Sequence, residues 1–193
     1  MDNLLTQQIN YATLVIGRWS LEGARIWDFR EKAQYPSQVI LNGMAVSGEE
    51  LSNYCIASKR RAQYALSIGG YIRLLDTARQ ENGRIPVDLV RGLFKTLLAA
   101  NAIDLAFNLV SVILSDMQSV GRGSGLQYNM FFDYFRSVVS AVKGVNNYDD
   151  FSALRKICTD FSGNPYYEFV SDKQELRAEC QKVCSELQEA YGS

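Results

Sequence analysis

The chain has 193 residues, 47% of them hydrophobic, 21% charged and only 3 proline, so it has enough apolar mass for a folded core and few helix breakers. It contains no histidine, which removes the commonest general base, the commonest zinc ligand and the usual pH switch. The net charge is −1, so any polyanion-binding surface has to be local.

The elements follow from caps and periodicity. Asp2 is placed to cap a first helix whose apolar positions are Leu5, Ile9, Ala12, Ile16 and Trp19. Ser20 is placed to cap a second helix to about Gln34, although Arg25 to Arg30 also alternates like a strand. Tyr35-Pro36 ends that segment, Ser37–Leu41 reads as extended, and Asn42-Gly43 is a turn signal. Ser47 and Glu50 form a capping-box pattern. The helix behind it is predicted to run to about Arg79, with a small-residue face and a Gly69-Gly70 pair inside it.

Asn82-Gly83 closes that helix, and Pro86 opens the next. Residues 86–120 read as one long helix, apolar on nearly every side, whose only charge between Thr96 and Ser115 is Asp104. A helix of that kind must be surrounded, so it is predicted to be the central and most buried post. Asn101, Asp104, Asn108, Ser111 and Ser115 share an arc of about 80°. They read as a solvent strip, as a buried hydrogen-bonded layer, or as the polar side of a membrane span.

Gly121, Gly123 and Gly125 make a loop, followed by predicted helices over 126–143, from Asn147 to Phe161, and from Ser171 to Leu187. The fold class predicted is all-α: a bundle of five to seven helices around 86–120, with a short extended segment near 37–41. One domain is expected over 1–193, less regular in 1–46 and helical in 47–191.

No motif specifies catalysis. Gly121-Arg-Gly-Ser-Gly125 follows a helix and lacks the Walker Lys-Ser/Thr, although Arg122 beside free amides could hold an anion. Cys180 and Cys184 lie in an apolar stripe and read as structural thiols, so neither metal nor cofactor is expected. Sparse cysteines and the lack of an Asn-x-Ser/Thr acceptor suggest a reducing, cytoplasmic compartment. Met1–Trp19 lacks the basic start of a signal peptide.

Charge is unevenly spread. Residues 59–95 hold eight bases against three acids, whereas 147–193 hold nine acids against five bases. Lys59, Arg60, Arg61, Arg73, Arg79, Arg84, Arg91 and Arg122 are therefore candidate contacts for nucleic acid or an acidic protein surface, the 147–193 segment of a second copy included. Tyr128, Phe132 and Tyr134 exceed what one helix face can bury and are candidate interface aromatics.

The run from Asn108 to Ser119, the Gly121–Gly125 loop and the aromatic Tyr128–Phe135 segment together resemble the four-helix coat proteins of rod-shaped plant viruses. That likeness implies a virion subunit that contacts nucleic acid. The residues themselves point first to a non-catalytic protein that acts by association with itself or another protein, membrane contact being disfavoured. A coat-type nucleic-acid-binding subunit is the alternative, and a small histidine-free enzyme the second alternative.

Overall fold

A computed structural model describes residues 3–22, 28–30, 34–81 and 84–120, together with Gln174, Ala178, Gln181, Lys182 and Ser185. The chain divides into two compact units, Met1–Val120 and Gly121–Ser193. The described part is mostly helical. Its elements are α1 (Asn3–Leu21), β1 (Asp28–Arg30), β2 (Val39–Leu41), β3 (Met44–Val46), α2 (Gly48–Arg60), α3 (Tyr64–Glu81), β4 (Arg84–Pro86), α4 (Val87–Ala99) and α5 (Ile103–Val120).

Helix α1 buries Ala12, Val15, Ile16 and Trp19, the face its periodicity required, and Leu5 and Ile9 are half-buried. It runs through Ser20, whose hydroxyl donates to the Gly17 carbonyl at 2.6 Å instead of capping a new helix. The second helix expected to Gln34 is corrected accordingly. Asp28–Arg30 is a strand, paired in parallel with Arg84–Pro86. The ladder supplies backbone partners that the alternating Arg25–Arg30 sequence suits. Strands β2 and β3 form an antiparallel hairpin around Asn42 (φ 51°) and Gly43 (φ 81°). Both residues have positive φ, as a tight two-residue hairpin turn requires.

The Ser47 cap is as its pattern specifies: its Oγ accepts from the Glu50 N–H at 3.2 Å and donates to the Glu50 carboxylate at 3.0 Å. The single helix expected from there to Arg79 is broken. Ala62 lies at φ 57°, Gln63 N–H bonds the Ser58 carbonyl at 2.9 Å, and Ala62 N–H bonds that of Lys59 at 3.0 Å. These two bonds make a Schellman C-cap, with alanine where glycine is usual.

The single helix 86–120 is broken in the same way. Asn101 lies at φ 57°, Ala102 N–H bonds the Leu97 carbonyl at 2.9 Å, and Asn101 N–H bonds that of Leu98 at 3.0 Å. Its first residue, Pro86, also belongs to β4. A helix apolar all round needs neighbours on every side; folding at Asn101 lets α4 pack on α3 while α5 packs on α1 and α4.

The central position therefore belongs to α3, not to 86–120. Helix α3 touches α1, α2 and α4, and its Gly69-Gly70 pair permits close approach by α1 and α2. A Cβ on Gly69 would meet the Gln8 side chain of α1, and one on Gly70 would meet Cys55 Sγ of α2. Gly92 of α4 likewise accepts the Tyr71 ring. The Ser67 and Thr96 hydroxyls bond across α3 and α4 at 3.2 Å.

The five described residues of the second unit are helical and exposed. At 100° per residue these five share one face, and all fall within the helix predicted from Ser171 to Leu187. The Asp2 cap, Asn82-Gly83, the Gly121–Gly125 loop and the helices over 126–143 and 147–161 lie outside the described residues.

The αL alanine gives a direct test of the α2–α3 break. A left-handed non-glycine residue costs roughly 1–2 kcal/mol. Ala62→Gly is expected to raise stability by about 1 kcal/mol in urea denaturation, after the entropy that glycine adds to the unfolded chain. A loss of stability would mean that the α2–α3 turn is not αL.

Candidate functional site

The basic residues of 59–95 separate into two groups. Arg79, read from the sequence as a candidate contact for nucleic acid or an acidic protein, is 3% exposed and so is not available at the surface. Its guanidinium donates to the Trp19 carbonyl at 3.1 Å, stands over the Trp19 ring at 5.6 Å, and places Nε 3.7 Å from the Glu22 carboxylate. Trp19 Nε1 in turn donates to Asp76 at 2.8 Å, and Arg18 pairs with both Asp76 and Glu22. This cluster ties the end of α1 to the end of α3. Arg73 is also committed, over the Tyr11 ring at 4.8 Å and donating to the Gly69 carbonyl at 2.7 Å.

The other basic residues lie at the end of α2 and along α4. Lys59 is half-buried, Arg60 and Arg61 are exposed, and Lys95 and Arg91 stand one turn apart on the exposed side of α4. Burial first, and then the positive charge of Lys95, lowers the Lys59 pKa. Arg91 is shared with Asp88 at 3.5 Å. Among the described residues, Lys59, Arg60, Arg61 and Lys95 make no ion pair. Arg84 contributes backbone to β4, and its side chain is outside the described residues. Arg122, Tyr128, Phe132 and Tyr134 lie outside them as well.

The polar strip resolves in part: Asn101, Asp104 and Asn108 are exposed, as a solvent strip requires, and Ser111 and Ser115 lie outside the described side chains. No described helix is long and apolar enough to cross a membrane. No group of three or more acidic or cysteine side chains among the described residues could hold a metal ion. Cys55 is a buried free thiol whose pKa burial pushes up to about 12, so it is a packing residue and not a nucleophile.

One surface was missed in the sequence. Leu14 is 74% exposed and Leu21 87%, on the same face of α1, with Gly17 between them. Asn3, Gln7, Asn10, Leu14, Gly17 and Leu21 fall within an arc of about 80° and carry no charge. Arg18 borders this strip and is paired. The sequence signal is the spacing Leu14, Gly17, Leu21, which looks minor beside the stronger core stripe of the same helix. No family model, curated protein or solved structure matches this chain.

Proposed function

We propose that this helical protein is non-catalytic and works by protein–protein association, with self-assembly through the outer face of α1 as the leading form. Adaptor and inhibitor roles would use the same face on another partner. The observation that carries this reading is the Leu14–Gly17–Leu21 strip. Leucines so exposed, on an uncharged face, match the charge-poor centre of an interface better than a solvated helix surface.

Gly17 adds to the argument. Nothing lies within 4 Å of where its Cβ would stand, so packing within the described fold does not require it. A mid-helix glycine costs about 1 kcal/mol against alanine. Here it leaves a notch between two leucine ridges, into which a second helix fits. The reading places the protein in the cytoplasm, or in a virion if it is a coat-type subunit.

Size-exclusion chromatography with light scattering tests it. The wild-type chain is expected to be an oligomer, and the Leu14→Asp/Leu21→Asp variant a monomer with unchanged circular dichroism. A strictly monomeric wild type that captures no partner would sink the proposal. An oligomer unaffected by the two substitutions would move association to another surface.

A further inference from the structure

We propose that residues 100–102 are a hinge, and that its opening lets α5 seat on α1 and α4 of a second copy, giving a domain-swapped dimer. This contact differs from the α1 strip and does not depend on it.

The hinge is short, strained and set in a stretch that favours continuous helix. Ala99 ends α4 and Ile103 begins α5, so residues 100–102 make the whole turn. Asn101 holds it at φ 57°, a left-handed conformation that asparagine tolerates less well than glycine. No glycine or proline occurs from Leu93 to Val120, and Ala99, Ala100 and Ala102 surround Asn101 with the best helix former. In one continuous helix the N–H groups of 103–105 bond the carbonyls of 99–101. A helix end leaves such groups without intrahelical partners. Against opening stand the cap bonds to the Leu97 and Leu98 carbonyls, Asp104 in the first turn of α5, and the packing of α5 itself.

That packing decides where α5 goes. Ile103, Leu105, Ala106, Leu109, Val110 and Ile113 are buried, so α5 released into water exposes a face that must be covered again. Helix α5 packs mainly on α1 and α4, whereas α3 is held by α1, α2 and α4 and keeps those contacts when α5 leaves. What fits the vacated seat, residue for residue, is α5 of a second copy. Reciprocal exchange restores the buried contacts and adds the hinge bonds in both chains, which is why short strained hinges invite swapping. It costs the entropy of association, so exchange rises with concentration. The break at Ala62 is not equivalent, because opening it pulls α2 off α3 at the centre of the unit.

The test uses the full chain carrying Leu14→Asp/Leu21→Asp, which removes the α1 strip from the readout. Each variant is unfolded in urea, refolded at high concentration and sized by light scattering. Asn101→Ala disfavours the closed turn and favours the open helix, whereas Asn101→Gly relieves the closed turn. The effect is about tenfold per hinge, and the dimer opens two. The dimerisation constant of Asn101→Ala is therefore expected to exceed that of Asn101→Gly about a hundredfold. The Asn101→Ala dimer is expected to keep its circular dichroism and to persist on dilution, because reversal requires α5 to leave its seat. Unfolding and refolding it when dilute should return monomer. The unmodified hinge falls between the two, so comparing it with Asn101→Gly repeats the test if Asn101→Ala does not fold. No dimer from any of these chains, equal dimer fractions in all of them, or a dimer that dissociates at once on dilution would each overturn the proposal. None of these outcomes bears on the α1 association test, whose contact is already removed.

Discussion

Arg79→Gln is expected to destabilise the first unit by about 3 kcal/mol, a large share of the 5–15 kcal/mol that holds a typical domain folded. The arginine is almost fully buried and serves three groups at once: the Trp19 carbonyl, the Trp19 ring and the Glu22 carboxylate. Glu22 is partly exposed, so water replaces much of that attraction and the ion pair itself contributes little. The greater loss comes from the buried hydrogen bond to the Trp19 carbonyl and from the space the shorter side chain leaves against a fully buried indole. Urea denaturation should show a lower midpoint with an unchanged slope. Arg61→Gln, at an exposed position, should stay within about 0.5 kcal/mol of wild type. If the two variants lose the same small amount, Arg79 is a solvated flank and the buried cluster is wrong.

That contrast marks where the sequence was legible. Core faces were readable, because period and cap chemistry act locally. Ala12, Ile16 and Trp19 are buried where the spacing put them, and Ser47 with Glu50 begins α2 where the pattern said. Both helix breaks were not readable. Chain reversal after a helix normally announces itself by glycine, and here the αL positions hold Ala62 and Asn101. Asn101 tolerates that conformation, but it was read as one member of a polar strip.

The missed breaks then distorted the reading of the charges. Lys59, Arg61, Arg73 and Arg79 were read on one continuous helix, whereas the turn at 61–63 gives α3 its own direction. Arg73 and Arg79 thus went to the α1 junction, a placement no helical wheel contains. The all-round apolar character of 86–120 was read correctly as a demand for neighbours. It could be met by surrounding one helix or by folding two, and hydrophobicity alone does not choose between them.

The second large effect is expected at Gly70. Gly70→Val should cost about 3 kcal/mol, the upper end for overpacking a core. A Cβ there meets Cys55 Sγ and comes within 3.4 Å of Leu51 Cδ1, both on the buried face of α2. Neither neighbour is a flexible chain end at the surface, so α2 itself must move off α3. Replacing glycine recovers about 0.5 kcal/mol of helix propensity, too little to offset the clash. Removing the obstructing sulfur tests the cause. Cys55→Gly alone should destabilise, through the small cavity it leaves and the glycine it adds to α2, yet in the Gly70→Val background it should restore at least 1 kcal/mol. A double-mutant cycle with no coupling between positions 55 and 70 would show that α2 does not pack on the Gly70 notch, and the close three-helix contact around α3 would have to be redrawn.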